Sequence, residues 1–178
     1  MNILDIINKY YPEDNELKDT LLKHSRQVCH KALAVATKHP ELHLNQEILE
    51  NGAMLHDIGI FLTDAPAIHC HGSASYLAHG YLGGQLLRKE NMITYARICE
   101  RHTGTGLTKE TIQELHIPIP AQDYLPETLE EQVICYADKF FSKSHIDREK
   151  TSEQIYKSLL KFGTEQAEKF LSWDKLFR

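Results

Sequence analysis

The stretch Gly52-Ala53-Met54-Leu55-His56-Asp57-Ile58-Gly59 places a histidine and an aspartate side by side at the end of an apolar run. The run predicts that both side chains are buried, and a buried charge destabilises a fold unless a partner compensates it. Imidazole and carboxylate are both common metal ligands, so we expect a metal ion to be that partner. A single buried histidine more often bonds to a backbone carbonyl. The metal hypothesis therefore requires further ligands elsewhere in the chain.

Apolar residues recur at helical spacing along most of the 178 residues, whereas alternating patterns typical of strands are rare. We therefore predict an all-α fold in a single domain over residues 1–178, with residues 151–178 as a C-terminal helical cover. Asn45, Thr108 and Thr128 are predicted N-caps, and Gly59 is predicted to end the helix that carries the His-Asp pair. Other helices are predicted over residues 15–37, 73–88, 94–101 and 151–173.

The composition argues against several classes of function. With a net charge of -5, the chain has no broad basic surface for polymeric nucleic acid. Its four cysteines lack paired Cys-x-x-Cys spacing, which indicates reduced thiols in the cytosol. There is no apolar run long enough to span a membrane and no signal-peptide pattern, so we expect a cytoplasmic protein without a membrane partner. The 11 histidines raise the expectation of histidine-based metal chemistry.

Further candidate ligands lie at inward-facing or helix-end positions. His24 shares the apolar stripe of its predicted helix, and His79 lies on the inner face of another. His102 lies at a predicted helix C-terminus, and Asp138 shares an apolar helix face. Together with His56-Asp57, these residues give the ordered pattern H…HD…H…H…D.

This pattern resembles that of the HD-domain superfamily of metal-dependent phosphohydrolases, and residues 56–59 match its HDIG variant letter for letter. The strings HSRQV at residues 24–28, RHTG at 101–104 and YADK at 136–139 add local matches. The chain looks most like uncharacterised HD hydrolases and, more distantly, like the symmetrical diadenosine tetraphosphate hydrolases of the HD type. Those distant relatives carry a Pro and an Arg where this chain has Phe140-Phe141-Ser142-Lys143, which argues against their dinucleotide substrate.

The resemblance implies an HD-domain helical bundle around two divalent metal ions. It assigns His24, His56, Asp57 and Asp138 to one ion, and His79 and His102 to the other, with Asp57 as the bridging and catalytic carboxylate. Iron is the metal we expect first, and Mn, Zn, Ni, Co or Mg also fit these ligands. Two ions roughly 3.5–4 Å apart can hold a phosphoryl group while an activated water attacks it.

Phosphate recognition requires positive charge near these motifs. The candidate substrate-binding residues are Lys143, Arg26, Arg101 and Lys139, and a solvated surface side chain is the alternative for each. Lys143 is predicted to lie on the helix that carries Asp138. In the predicted loop 60–72, Asp64, His69 and His71 could contact substrate, although a solvated loop is the more typical arrangement.

Three functions are compatible with the sequence. The first is a metal-dependent phosphohydrolase that cleaves a small phosphate ester or anhydride, with a nucleotide as the expected substrate. The same ligand pattern occurs in di-iron oxygenases of the superfamily, which activate O₂ instead. The third function is a non-catalytic nucleotide sensor. The expected partner is thus a small phosphorylated molecule, and the apolar C-terminal residues, among them Trp173 and Phe177, leave a homodimer open.

Overall fold

The computed structural model describes residues 2–178. Over these residues the chain forms nine α-helices, which confirms the all-α prediction. One small ribbon pairs β1 (Asp64–Ala65) with β2 (Cys70–His71) in antiparallel fashion. The helices are α1 (Ile3–Tyr10), α2 (Glu16–Lys38), α3 (Gln46–Leu55), α4 (His79–Lys89), α5 (Ile93–Arg101), α6 (Lys109–Glu114), α7 (Leu129–Asp138), α8 (Ser152–Leu159) and α9 (Thr164–Phe177).

The predicted N-caps are confirmed. Asn45 accepts a hydrogen bond from the backbone N–H of residue 48, and Thr108 and Thr128 cap α6 and α7 in the same way. Glu131 completes a capping box by accepting from the backbone N–H of Thr128. Because each cap satisfies a backbone donor that the helix leaves free, it stabilises the helix start by about 1 kcal/mol.

Three apolar clusters occur in the described part of the chain, and the two largest of them hold the bundle together. The larger cluster joins α2, α3 and α7 to the C-terminal helices, with Trp173 and Phe170 fully buried in it. The smaller cluster joins α1 and α2 to the region around α4 and α5. Since α2 and α3 contribute to both clusters, the junction after α3 lies in the interior of the molecule.

The prediction of one helix over residues 151–173 is wrong. The segment forms α8, a short 3-10 turn at Leu160–Phe162, and α9. Gly163 separates the two helices with a φ of 123°, a backbone conformation that side-chain-bearing residues rarely adopt. The chain therefore turns at Gly163, and α8 packs against α9.

The prediction that Gly59 ends a helix is wrong, and this glycine has a different role. Helix α3 already ends at Leu55, and Gly59 has an ordinary negative φ of -86°. A Cβ at Gly59 would lie 2.4 Å from both the backbone N of Gly83 and the backbone O of His79. Glycine is required here because the backbone of α4 passes directly over this position, which brings His79 close to the His-Asp pair.

Helix α4 begins at His79, later than the predicted residue 73. The preceding segment bonds to the chain after α3 instead: the N–H of Ala74 donates to the carbonyl of Leu62, and the N–H of Asp64 donates to the carbonyl of Ala74. These backbone groups are therefore not available for a helix. Among residues 2–178, no α-helix has both the length and the apolar character needed to cross a bilayer.

Helix α9 holds the loop that follows α5. The side-chain oxygen of Gln166 accepts from the backbone N–H of Thr105 at 2.6 Å and from its hydroxyl at 2.8 Å. The amide nitrogen of Gln166 donates to the carbonyl of Gly106 at 2.7 Å. One glutamine thus satisfies three polar groups of a loop that begins one residue after His102.

We predict that Gln166→Ala lowers the free energy of unfolding by about 1–3 kcal/mol, because it leaves partly buried polar groups of the loop without partners. Urea denaturation monitored by circular dichroism measures this change. The matched control is Gln113→Ala, since Gln113 is exposed on α6. Equal stability of the two variants would contradict the role of Gln166.

Candidate metal centre

Six polar side chains meet in the interior where helices begin or end. His79 is the first residue of α4, Asp138 is the last residue of α7, and His102 directly follows α5. His56 and Asp57 directly follow α3, and His24 lies within α2. All six are buried, and His24, His56 and Asp57 are completely inaccessible to solvent. We call these six residues the central cluster.

The central cluster consists of two groups that share Asp57. On one side, Oδ2 of Asp57 lies 3.2 Å from Nε2 of His24 and 3.1 Å from Nε2 of His56. On the other side, Oδ1 of Asp57 lies 3.3 Å from Nε2 of both His79 and His102. Asp138 completes the first group, with its Oδ1 2.9 Å from Nε2 of His24. The two carboxylate oxygens of Asp57 therefore face different pairs of imidazoles.

Backbone hydrogen bonds set the orientation of three of the imidazole rings. Nδ1 of His56 donates to the carbonyl of Ala53, and Nδ1 of His102 donates to the carbonyl of Cys99, each at 2.7 Å. Nδ1 of His79 donates to the carbonyl of Tyr76. In a neutral ring with a proton on Nδ1, Nε2 carries a lone pair. In the neutral form, all three rings therefore present a lone pair to the centre of the cluster.

These lone pairs face other electron-rich atoms. Nε2 of His79 lies 3.0 Å from Nε2 of His102, and both face the Asp57 carboxylate. Nε2 of His56 and Oδ1 of Asp57 are buried without a hydrogen bond. Acceptors brought this close together in the interior require a cation between them. The donor set, imidazole nitrogens with carboxylate oxygens, fits a divalent metal ion.

The pKa values also indicate a preference for positive charge. Burial opposes charge on His56, yet the neighbouring carboxylates Asp57 and Asp138 raise its pKa to about 9. Burial lowers the pKa of His102 to about 4, so this ring stays neutral. Burial raises the pKa values of Asp57 and Asp138, but the neighbouring cations outweigh this effect. They hold the pKa of each carboxyl well below its usual range. The cluster therefore contains two carboxylates and attracts a cation, either a proton on His56 or a metal ion.

Two lysines bind the carboxylates of the cluster. Nζ of Lys143 lies 2.6 Å from Oδ2 of Asp57, and Nζ of Lys139 lies 2.6 Å from Oδ2 of Asp138. Lys139 also donates to the carbonyl of His102 at 3.0 Å. The prediction that Lys143 lies on the helix of Asp138 is wrong. Helix α7 ends at Asp138, and residue 143 lies in the following loop. That loop returns the lysine to Asp57.

A pocket of about 190 Å³ opens beside the central cluster. It contains Asp138 of the cluster together with both lysines, and a turn before α4 contributes Tyr76. The other side is formed by the loop after α7 and by α8. The full lining is Tyr76, Asp138, Lys139, Phe141, Ser142, Lys143, Lys150, Ile155, Ser158 and Leu159.

The two arginines suggested for substrate binding lie elsewhere. Arg26 is exposed on α2 and borders a different depression, lined also by Glu50 and Met54. Arg101 is bound by acidic side chains, with Nη1 2.8 Å from Glu127 and 3.5 Å from Glu131. The sequence placed both arginines beside ligand motifs, but neighbouring positions on a helix point in different directions. The structure does not bring either arginine to the central cluster.

The histidines of the loop after α3 also lie apart from the cluster. His69 and His71 are exposed and line a separate groove of about 520 Å³ with aromatic residues of the N-terminal segment. Asp64 is exposed in β1. Sequence reasoning did not single out Tyr76 or Lys150, which do line the pocket. No local motif marks them, since their position depends on how distant segments pack.

Comparison with known proteins identifies similar chains. The HD domain family model matches residues 21–142, a span that contains all six residues of the central cluster. A protein of Methanocaldococcus jannaschii described as uncharacterised is 35% identical over 127 residues, which cover 70% of this chain and 68% of that protein.

Two further relatives carry the name tRNA (cytidine(56)-2'-O)-methyltransferase. The one from Picrophilus torridus is 32% identical over 148 residues, which cover 78% of this chain and 39% of that protein. The one from Thermoplasma volcanium is 28% identical over 165 residues, which cover 92% of this chain and 42% of that protein. The chain thus spans about two fifths of the length of these two relatives.

Two solved structures share the fold. The HD domain of the L. monocytogenes phosphodiesterase PgpH has a TM-score of 0.52 and 16% identity, with 99% of each chain covered. The same domain in complex with cyclic-di-AMP has a TM-score of 0.51 and 19% identity, with 92% of this chain and 82% of that chain covered. At this level of identity the likeness concerns the helical architecture.

We predict that a divalent metal raises the melting temperature of this protein and that a chelator lowers it, because only the folded chain assembles the facing lone pairs. A ligand present at 100 times its dissociation constant adds about 2.7 kcal/mol of stability. The His56→Ala variant removes one lone pair and should lose most of this shift. Differential scanning calorimetry with and without Mn²⁺ measures the shift.

The control for this experiment is His116→Ala, since His116 is exposed. This variant should keep the full metal-dependent shift. An unchanged shift in His56→Ala would show that the metal binds outside the central cluster.

Proposed function

The chain belongs to the HD domain family, and from this premise we propose that it is a metal-dependent phosphohydrolase that acts on a small phosphate ester or anhydride. The observation that carries the proposal is the buried Asp57 carboxylate, whose two oxygens face different pairs of imidazole nitrogens. The unpaired lone pairs around it support a cation site, and the neighbouring lysines support the binding of an anionic substrate.

We propose that the cluster holds two divalent ions. His24, His56, Asp57 and Asp138 would bind the first ion, and Asp57, His79 and His102 the second, since each set offers donor atoms within 4.8 Å of one another. Asp57 would bridge the two ions because one of its oxygens faces each set. Iron is the first candidate for the metal, and Mn, Zn, Ni, Co or Mg are alternatives with the same ligand chemistry.

A divalent ion held by these residues would supply positive charge to a phosphoryl oxygen and would lower the pKa of a water molecule. In hydrolysis the water oxygen bonds to phosphorus, the bond from phosphorus to the leaving oxygen breaks, and the leaving oxygen takes up one water proton. The other water proton stays with the phosphate product. Burial of the cluster excludes bulk water and strengthens the attraction between these charges and the phosphoryl group.

The lysines of the pocket would orient the phosphoryl group. An ammonium carries three donors, and Lys143 forms an ion pair with Asp57 at 2.6 Å. Lys143 also lines the pocket, where its ammonium would bind phosphate oxygens. Lys139 directs two donors, to Asp138 and to the carbonyl of His102, so its main contribution would be to position the Asp138 carboxylate.

We propose a nucleotide as the substrate. The cyclic-di-AMP complex of the structurally similar PgpH domain is compatible with a nucleotide in a fold of this type. The methyltransferase name belongs to relatives of which the chain matches about two fifths, and we base the proposal on the donor set instead of that name. The net charge of -5 favours a small ligand over polymeric nucleic acid.

We predict that Asp57→Asn lowers kcat by more than about 100-fold, because it removes the charge that faces both histidine pairs. It should also lower the number of bound ions measured by elemental analysis. The assay is phosphate release from a panel of nucleotides and phosphomonoesters by Mn²⁺-loaded protein. The matched control is Asp5→Asn, since Asp5 is exposed on α1.

Full metal content and full activity in Asp57→Asn would refute the proposed role of the cluster. Consumption of O₂ by iron-loaded wild-type protein, without phosphate release, would instead indicate oxygenase chemistry with the same ligands. Both outcomes are read from the same purified protein, with an oxygen electrode beside the phosphate assay.

A further inference from the structure

The pocket beside the central cluster has a wall that lies outside the family match. The family model ends at residue 142, whereas Lys150, Ile155, Ser158 and Leu159 also line the pocket. Ile155 and Leu159 are buried in the larger apolar cluster, so α8 is anchored firmly. The backbone N–H of Lys150 donates to the carbonyl of Phe140 at 2.8 Å, which fixes the start of this wall beside the end of α7.

The three lysines of the pocket differ in how their charge is compensated. Lys139 pairs with Asp138 and Lys143 pairs with Asp57, each at 2.6 Å. Lys150 takes part in none of the ion pairs formed among residues 2–178, although its side chain is only partly exposed. The pocket thus has three ammonium groups, and only two of them pair with a carboxylate. Lys150 provides the excess positive charge.

The surroundings of Lys150 favour an anion over a neutral partner. Burial lowers the pKa of Lys150, and the attraction of Asp138, which already pairs with Lys139, offsets this only in part. Both other lysines of the pocket repel it, and a bound anion would relieve that repulsion. The hydroxyl groups of Ser142 and Ser158 also line the pocket and can donate hydrogen bonds to an anionic oxygen.

We propose that Lys150 forms a second anion subsite, which binds a phosphate group next to the phosphoryl group cleaved at the central cluster. This inference rests on the proposed phosphohydrolase function. It narrows the substrate class to compounds with two adjacent phosphates, of which a nucleoside diphosphate is the simplest nucleotide. In such a substrate one phosphate meets Lys143 and the cluster, and the other meets Lys150.

The size of the pocket defines how much of the substrate it encloses. Its volume of about 190 Å³ lies below the roughly 300–1,000 Å³ typical of pockets that enclose a whole drug-sized ligand. The pocket therefore accommodates the phosphates, and the nucleoside extends outward. We accordingly expect ADP, GDP, CDP and UDP to be used with similar efficiency.

The test is the Lys150→Gln variant in the Mn²⁺-loaded protein. We expect its KM for ADP to rise about 10-fold, equivalent to about 1.4 kcal/mol, while its KM for AMP changes less than about 3-fold because AMP lacks the second phosphate. Both kcat and metal content should stay close to wild type. Lys150→Arg retains the charge and should keep most of the ADP affinity.

The matched control is Lys157→Gln. Lys157 lies on α8, is exposed, and pairs with Glu153 four residues earlier, so its removal tests the general effect of a lost charge on this helix. It should change neither KM. Isothermal titration calorimetry with α,β-methylene-ADP measures binding directly, and this readout does not depend on turnover.

Equal changes for AMP and ADP in Lys150→Gln, or no change in either, would overturn the second subsite while leaving the hydrolase proposal intact. Binding of α,β-methylene-ADP that depends on Lys150, in a protein that releases no phosphate, would support the subsite and refute the hydrolase proposal. The two proposals can therefore fail separately.

Discussion

Compensation of the buried Asp57 carboxylate is the constraint on which the arrangement of this bundle depends. The carboxylate is completely buried, and the groups that face it come from α2, the junction after α3, the start of α4, the end of α5 and the loop after α7. A charge in the interior is tolerated only where partners surround it. Each segment that meets Asp57 must therefore keep its direction, and the two apolar clusters supply the packing that holds those directions.

Helix ends are the means by which polar groups enter the interior. His79 begins α4, while Asp138 ends α7, so their side chains project from positions where the helical backbone starts or stops. The backbone carbonyls of the last turns then accept from Nδ1 of His56 and His102 and orient both rings. Gly59 allows the start of α4 to approach the His-Asp pair closely enough for His79 to join it. Local backbone geometry and metal-ligand chemistry are thus linked at the same few residues.

The C-terminal helices contribute to the site as well as to stability. Helix α8 forms one wall of the pocket, and Gln166 of α9 holds the loop that follows His102. Both helices lie beyond residue 142, where the family match ends. The cluster therefore belongs to the shared part of the chain, whereas the surroundings of the substrate are formed in part by a segment outside that match. Differences in this segment are a physical route by which related chains can bind different substrates.

The sequence by itself determined the helical class, several helix starts and the identity of the six residues that form the central cluster. These features depend on local periodicity, on capping side chains and on the order of a motif, all of which can be read along the chain. Only the tertiary structure decided that Lys143 returns to Asp57, that Arg26 and Arg101 point away, and that Lys150 lies at the pocket. It also decided that Gly59 meets α4 and that Gly163 divides the last helical segment. The reason is that the direction of a side chain in a loop, and the contact made by a glycine, depend on packing between segments far apart in sequence.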